Sequence, residues 1–466
     1  MRNSLLVIFL LSIFNSVLFY GNSLGINVVL FIIPTLIFLI WVLKNNDKVE
    51  NKKGLLFTIP ITLLSCTYFI YDNEFFRFLN GIVIPLLIIC MYVYTITPVY
   101  SLGSLFTKTM SLIFEPLSCI GKVYRLLGSK VNGALKLSDK SKKIIKAIFI
   151  TLPVLIVVLL LLSSADVIFG NIFKDFVSIF KNISFGDIIG RSILIFILFT
   201  YFASVVNYLI FNYEDKPKKE KIGKGIENYT INLLITVLGV VYIIFDFIQV
   251  KSLMLHQVAE HINYSSYARS GFFQLLVIAL INLVILVVSK HVKDKGDKYT
   301  KVVSLVMVLL TLIIIVSSFM RMSMYESFYG YTLLRLLVYI TLITLIILLI
   351  PTTIYILKDK MNLFKSYLIV TVTIYTMLCL FPVDYFIAHN NINRYYEKSK
   401  IDIDYLENYG ADNVPLLVEL YNKTNDKNLK EELRSYFKED LLFEEFNIFE
   451  YNISNDIAYK KIKDLK

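Results

Sequence analysis

The sequence predicts an all-α fold: a polytopic bundle of about eleven transmembrane helices with a small helical extramembrane module at the C-terminus. Of the 466 residues, 56% are hydrophobic and 18% are charged, whereas soluble domains have roughly 45–50% apolar and 25% charged residues. The apolar residues form runs of about 20, the length at which a helix crosses a hydrocarbon core roughly 30 Å thick. The runs do not alternate between apolar and polar residues, which favours helices over barrel strands.

The runs divide the chain into regular spans. They lie at about 4–20, 24–43, 55–71, 77–97, 147–167, 187–211, 229–250, 271–289, 302–320, 331–357 and 364–388. The first run also resembles a secretory signal, since Arg2 precedes it and Gly21 and Asn22 follow it. Its length favours a retained span, and cleavage would leave the orientation of the other spans unchanged.

Composition between the spans predicts four segments. These are an N-terminal four-span segment (1–97), a basic amphipathic cytoplasmic segment (98–146), a seven-span membrane core (147–389) and a helical extracytoplasmic tail (390–466). A further helix at 169–186 has apolar spacing but is too short to span, so we expect it at the outer interface. In the tail, two amphipathic helices precede an apolar patch at 441–449, which either packs on the membrane core or binds a partner.

Lysines give the orientation. The net charge is +11, and every second loop is basic, as between 44 and 53 and between 216 and 224. Basic loops remain in the cytoplasm and contact anionic lipid headgroups. We therefore expect a multi-pass protein of the cell membrane with a cytoplasmic N-terminus and an external tail. No nucleic-acid-binding module is visible, so nucleic acid is not an expected partner.

Several charged residues lie near the ends of spans, where this orientation puts them at the outer face. They are Asp166, Asp246, Asp384, Arg191, Arg269, Arg321 and Arg335. One interpretation is structural, because charges at helix ends reach into the headgroups and Asp–Arg pairs tie helices together. The other is a polar cavity open to the outside, in which arginines bind phosphate or carboxylate through paired hydrogen bonds.

The segment 321–335 supports the second interpretation, a polar cavity. Arg321, Tyr325 and Tyr329 are spaced by four residues, so a continuous helix would stack them on one face. Gly330 then permits a bend before Arg335. Tyrosine is also common at membrane interfaces for its amphipathic ring alone, so both explanations of the tyrosines stay open.

Other chemistry is poorly supported. The pattern His256, Glu260, His261 is one residue longer than the inverted zincin motif, and His261 would point away from the other two. The four cysteines are isolated and form no CxxC pair. Nucleotide-binding and hydrolase motifs are missing from the sequence. We therefore expect no metal and no cofactor.

Three segments carry a family resemblance: YARSGFFQLL (267–276), RMSMYESFYGYTLLRL (321–336) and DYFIAHNNINRY (384–395). In this order on a polytopic chain, they resemble the bacterial membrane family called domain of unknown function 4173. The resemblance implies that the family's characteristic residues are Tyr267, Arg269, Gly271, Arg321, Tyr325, Tyr329, Gly330, Arg335, Asp384, Asn391 and Arg394. It implies no activity.

The leading functional hypothesis is a non-enzymatic membrane protein with an outer-face polar site for an extracellular ligand or envelope partner. Its candidate residues are Asp246, Arg269, Arg321, Tyr325, Tyr329, Arg335, Asp384 and Arg394. A secondary transporter of a polar or anionic solute is one alternative, although only Asn207, Asn232 and Asn282 are candidates deeper in the spans. An outer-face enzyme acting on a lipid-linked substrate, with Asp246 or Asp384 as base, is another.

Overall fold

The computed structural model describes residues 2–96, 102–125, 185–212, 228–249, 271–289, 298–358, 362–398, 401–407, 409–439 and 447–465. Every regular element in these ranges is a helix, which confirms the all-α prediction. Apolar side chains dominate the long helices. An apolar segment in lipid becomes a helix because a helix satisfies its own backbone hydrogen bonds where no water is present.

The α-helices are numbered in chain order. They are α1 (Arg2–Phe19), α2 (Ile26–Asn45), α3 (Thr58–Ile70), α4 (Glu74–Ile96), α5 (Leu102–Ser118), α6 (Phe185–Asn207), α7 (Asn228–Gln249), α8 (Phe272–Ser289), α9 (Lys298–Tyr329), α10 (Leu333–Leu357), α11 (Leu363–Leu380), α12 (Val383–Lys398), α13 (Ile403–Glu407), α14 (Val414–Lys423), α15 (Lys427–Glu439) and α16 (Ile453–Lys463). Short 3₁₀ turns precede α3 (Lys52–Phe57), α14 (Ala411–Asn413) and α16 (Ile448–Glu450).

Within the described ranges, nine helices are long and apolar enough to cross a membrane: α2, α3 with its 3₁₀ turn, α4 and α6–α11. Each coincides with a run predicted from the sequence. Helix α1 is apolar but shorter. The predicted span at 147–167 and the predicted interfacial helix at 169–186 lie outside the described residues. This is a multi-pass membrane protein.

The last predicted span, 364–388, is wrong in its extent. Helix α11 ends at Leu380, and α12 begins at Val383. Pro382 has no N–H to donate and disfavours helical backbone at the residue before it, so Phe381 is extended (φ −80°, ψ 135°). Asp384 therefore lies in the first turn of a separate helix and not inside a span.

The chain forms two compact units. Unit 1 comprises Met1–Ser23, Leu30–Glu50 and Phe106–Asp215, and unit 2 comprises Leu24–Val29, Asn51–Leu105 and Lys216–Lys466. The four segments predicted from the sequence stay a prediction, since compactness within units does not test their membrane sides.

In unit 1, α1 packs along α6. The buried core there contains Leu5, Ile8, Phe38, Val42, Val123, Ala203 and Val206. At one end, Arg191 of α6 lies over the ring of Tyr20, 4.8 Å from its centroid, and donates to the Ser16 and Tyr20 carbonyls.

In unit 2, helices α7–α10 surround the main core. Its fully buried side chains include Ile235, Leu286, Met307, Ile315 and Leu342. Polar pairs join the same helices, as where the Asn282 amide donates to the Thr311 hydroxyl at 3.1 Å. In lipid, burying an apolar side chain between helices gains no hydrophobic free energy, because lipid tails are equally apolar. Interhelical hydrogen bonds such as this one therefore contribute to helix association.

The tail is helical, as the sequence predicts, and belongs to unit 2. Helix α14 packs against α15 and α16, and α16 also contacts α3. Asn452 caps α16 and donates from Nδ2 to the Tyr68 and Tyr71 carbonyls, both at 2.9 Å. The turn before α16 reaches α2, where the Ile26 N–H donates to the Tyr451 carbonyl at 3.0 Å.

Candidate functional site

The turn between α9 and α10 has an unusual backbone. Gly330 has φ +82°, a conformation that side chains with a Cβ rarely adopt. Asn391 of α12 brackets the next residue: its Oδ1 accepts from the Tyr331 N–H at 2.8 Å, and its Nδ2 donates to the Tyr331 carbonyl at 2.9 Å. Thr332 caps α10 by accepting from the Arg335 N–H. One amide side chain and one cap therefore fix the turn, which we call the Gly330 turn (residues 330–332).

Two guanidinium groups converge on the Gly330 turn. Arg335 donates to the Gly330 carbonyl, and its guanidinium carbon lies 4.6 Å from the Tyr325 ring centroid and 5.8 Å from that of Tyr329. Arg394 of α12 donates to the Phe328 carbonyl. In the part of the chain that the structure describes, neither guanidinium lies within ion-pairing distance of a carboxylate. Each keeps N–H donors for a further acceptor, since a guanidinium carries five.

A second group lies one to two turns earlier in α9 than Tyr325 and Tyr329. Arg321 is 7% exposed and donates to Oε1 of Gln249 on α7 at 2.9 Å. It packs so closely on Gly271 that a Cβ there would overlap the guanidinium, so a larger residue at this position would displace the Arg321 side chain. The ring of Tyr325 stacks on that of Phe272 in α8, with the ring centroids 6.1 Å apart. These contacts bring the ends of α7, α8 and α9 together.

Asp246, one turn before Gln249, is 4% exposed. Neither of its carboxylate oxygens has a hydrogen-bond partner among the described residues. Arg269, which the sequence predicts at the same outer face, falls in 250–270, outside the described residues. His256, Glu260 and His261 fall there too. Asp166 also lies outside them. Among the residues that are described, no group of three His, Cys, Asp or Glu side chains could hold a metal ion.

Asp384 belongs to a separate cluster, which we call the aspartate cluster (Asp72, Asn73, Arg77, Asp384 and Asp412). Asn73 Nδ2 donates to both Asp384 oxygens at 2.7 Å, while Asn73 Oδ1 accepts from the Phe76 N–H and begins α4. Arg77 forms an ion pair with Asp72 at 2.7 Å. Asp412, in the tail, accepts from the Asp72 N–H at 2.9 Å.

Burial and like charge change the acidity of this cluster. Asp384 is 2% exposed. Its pKa is raised to about 7, mainly by burial and secondly by the negative charge of Asp412, while the Asn73 hydrogen bond opposes the shift. Burial also raises the pKa of Asp412 to about 6, against the lowering effect of the Ser454 hydroxyl. Removing a carboxylate from water penalises its charged form. These two groups therefore bind protons in a range where free aspartate does not.

The structure groups the predicted site residues unevenly. Tyr325, Tyr329, Arg335 and Arg394 meet at the Gly330 turn, and Arg321 lies next to Tyr325 on α9. Asp384 instead pairs with an asparagine.

Four members of the aspartate cluster were missed from the sequence: Asp72, Asn73, Arg77 and Asp412. A helix N-cap at Asn73 was recognisable before an apolar run, but its pairing with residue 384 had no local signal.

The family model that matches this chain is described as Domain of unknown function (DUF4153) and covers residues 58–420, more than half of the chain. The resemblance to domain of unknown function 4173 is therefore wrong. Its three segments combine Arg, Tyr and Gly at span ends, and those residue types are common at any membrane interface. The match also begins within α3, in spans where the sequence offered no resemblance. No curated protein and no solved structure matches the chain. This chain belongs to the family of proteins that contain the Domain of unknown function (DUF4153).

Proposed function

We propose that this protein is a non-enzymatic membrane protein whose outer face binds an anionic group, phosphate or carboxylate, between Arg335 and Arg394. One observation carries the proposal: two guanidinium groups converge on one turn without a carboxylate partner among the described residues. Half-buried cations are costly unless an anion pairs with them. A planar guanidinium suits both anions because it donates two parallel hydrogen bonds.

The surroundings of the Gly330 turn support a position at the membrane interface. Phe328 is 61% exposed and Leu334 is 75% exposed, on the two helices that the turn connects. Exposed apolar side chains next to arginines and tyrosines are typical of the headgroup region. The anion therefore comes from a lipid headgroup or from a soluble ligand that reaches the same level.

The distribution of lysines in unit 2 supports an external position for the turn. Lys298 and Lys301 begin α9, Lys358 follows α10, and Lys365 lies in the first turn of α11. The Gly330 turn joins the opposite ends of α9 and α10, and the tail contacts that same end. Lysine-rich ends remain in the cytoplasm, so the turn and the tail face outward, where an envelope partner could also reach them.

Thermal unfolding of the purified protein in a neutral detergent tests the proposal. Two probes are added separately: phosphatidylglycerol, with phosphatidylcholine as its uncharged counterpart, and inorganic phosphate, with chloride at equal ionic strength. We expect one anionic probe to raise the melting temperature, since a ligand that binds only the folded state stabilises it. The double variant Arg335→Gln with Arg394→Gln should lose at least half of that increase.

Arg191→Gln is the matched control, because Arg191 also stacks on a tyrosine and donates to carbonyls at a helix end. Its response should equal that of the unmodified protein. An increase with phosphatidylglycerol alone identifies a lipid headgroup, and an increase with inorganic phosphate identifies a soluble anion. No increase with either probe, or an equal increase in the double variant, contradicts the proposal.

A further inference from the structure

The tail meets the membrane-spanning part of unit 2 at the aspartate cluster. Two reciprocal hydrogen bonds connect them there: Asp412 Oδ2 accepts from the Asp72 N–H at 2.9 Å, and Asp72 Oδ2 accepts from the Ala411 N–H at 3.3 Å. The chain passes closely at this point, since a Cβ on Gly410 would come within 2.7 Å of Asp72 Oδ2. Asp384 and Asp412 line the same small cavity together with Tyr71, Asn73 and Arg77.

The charges at this interface do not balance. Three carboxyl groups come from three separate parts of the chain: Asp72 before α4, Asp384 on α12 and Asp412 in the tail. Arg77 is the cation among the residues that line this cavity, and it already forms an ion pair with Asp72 at 2.7 Å. With all three carboxyl groups ionised, the cluster would hold two more negative charges than positive ones, with Asp384 almost fully buried.

Other groups around Asp384 do not supply the missing positive charge. Tyr409, which precedes the tail's 3₁₀ turn, is neutral, and burial raises its pKa further. On α14, Lys423 is exposed and paired with Glu419. On α10, Arg335 donates to the Gly330 carbonyl. On α12 itself, Arg394 donates to Phe328, and His389 stacks on Tyr385.

We propose that a proton shared by this interface controls the docking of the tail, so that mild acid strengthens the contact and neutral to alkaline pH weakens it. A proton on Asp384 or Asp412 removes one of the buried like charges and leaves the reciprocal hydrogen bonds in place. Neutral contacts such as Asn452 with the Tyr68 and Tyr71 carbonyls do not depend on pH. The tail therefore loosens without leaving the membrane core altogether.

The direction of this pH dependence follows from the pKa values of Asp384 and Asp412. Their pKa values are about 7 and about 6 in the docked state, against roughly 4 for a solvated aspartate. The docked state binds more protons between these limits, so the stabilisation is complete below about pH 4 and is lost as pH rises through 6 to 7. Each coupled proton changes the docking constant about tenfold per pH unit in that window.

Amide hydrogen exchange of the full chain in lipid nanodiscs tests this at pH 5 and pH 8, with rates corrected for the pH dependence of the chemical exchange step. We expect protection of residues 411–423 and 453–463 to fall by about tenfold or more at pH 8. Asp384→Asn keeps the shape of the side chain but stays neutral, so the difference in protection between pH 5 and pH 8 should be smaller than in the unmodified chain. Asp412→Asn should reduce the pH response as well.

Asp456→Asn is the matched control, because Asp456 lies on α16 and pairs with Lys460 on the exposed side. It should keep the pH response of the unmodified chain. Equal protection at pH 5 and pH 8 in the unmodified chain overturns the proposal. An unchanged response in both Asp384→Asn and Asp412→Asn overturns it too, and if one of these variants fails to fold, the other decides.

Discussion

Replacing Gly330 with alanine tests how the Gly330 turn is built. Alanine at φ +82° costs about 1–2 kcal/mol because its Cβ crowds the following carbonyl. The new Cβ would also come within 2.6 Å of Asn391 Oδ1 and of an Arg394 nitrogen. Asn391 must then move and release its two hydrogen bonds to Tyr331, each contributing about 0.5–1.5 kcal/mol. We expect Gly330→Ala to reduce the free energy of unfolding of unit 2 by about 2–5 kcal/mol.

Gly21 is a matched control for the backbone cost alone. Its φ is +78°, and nothing lies within 4 Å of the position of a Cβ. Gly21→Ala should therefore cost only about 1–2 kcal/mol. The difference between the two variants measures the collision with Asn391 and Arg394.

The assay is unfolding in mixed micelles of increasing SDS content, followed by pulses of a thiol reagent and mass spectrometry. Cys379 is buried in unit 2 and Cys119 is buried in unit 1, so each variant is followed by the cysteine of its own unit. The double variant Gly330→Ala with Asn391→Ala should cost less than the sum of the single variants, since neighbouring changes are not additive. A Gly330→Ala cost no larger than that of Gly21→Ala, together with full additivity, would refute this account.

Two further predictions concern the tail side of unit 2. Asn73→Ala leaves the Asp384 carboxylate without its hydrogen-bond donor and should reduce the free energy of unfolding of unit 2 by about 1–3 kcal/mol. The cost should be larger at pH 8 than at pH 5, because the ionised carboxylate loses the stronger hydrogen bond, and an equal cost at both pH values in SDS titrations would contradict this. A cysteine at Lys427, at the start of α15, should react with a membrane-impermeant thiol reagent in intact cells. A reaction that requires permeabilisation would contradict the proposed external position of the tail.

The spans could be predicted because each carries its own signal. A run of about 20 apolar residues in lipid has one stable conformation, whatever its neighbours are. The error at 364–388 shows the limit of that reasoning. Hydropathy continues past Leu380 and conceals a break that Pro382 imposes through the backbone.

The candidate site also has features that the sequence predicts and features that it does not. The spacing of Arg321, Tyr325 and Tyr329 along one helix is local, and the sequence predicts it. The pairing of Asn73 with Asp384 joins residues 311 apart, and that of Asp72 with Asp412 joins residues 340 apart. No periodicity relates such positions. Asp72 and Asp412 also lie in a short loop and in the tail, outside the spans where buried charge is conspicuous in a sequence.

The reach of the tail back to the start of unit 2 has a consequence for biogenesis. A ribosome makes residues 25–77 before any part of the tail exists, yet Ile26, Tyr68 and Tyr71 bond to Tyr451 and Asn452. These early-made residues of unit 2 therefore acquire their partners only after the chain has been extended past residue 452. A chain halted before about residue 450 would leave the Ile26 N–H and the Tyr68 and Tyr71 carbonyls without these partners, and such an incomplete surface favours misassembly.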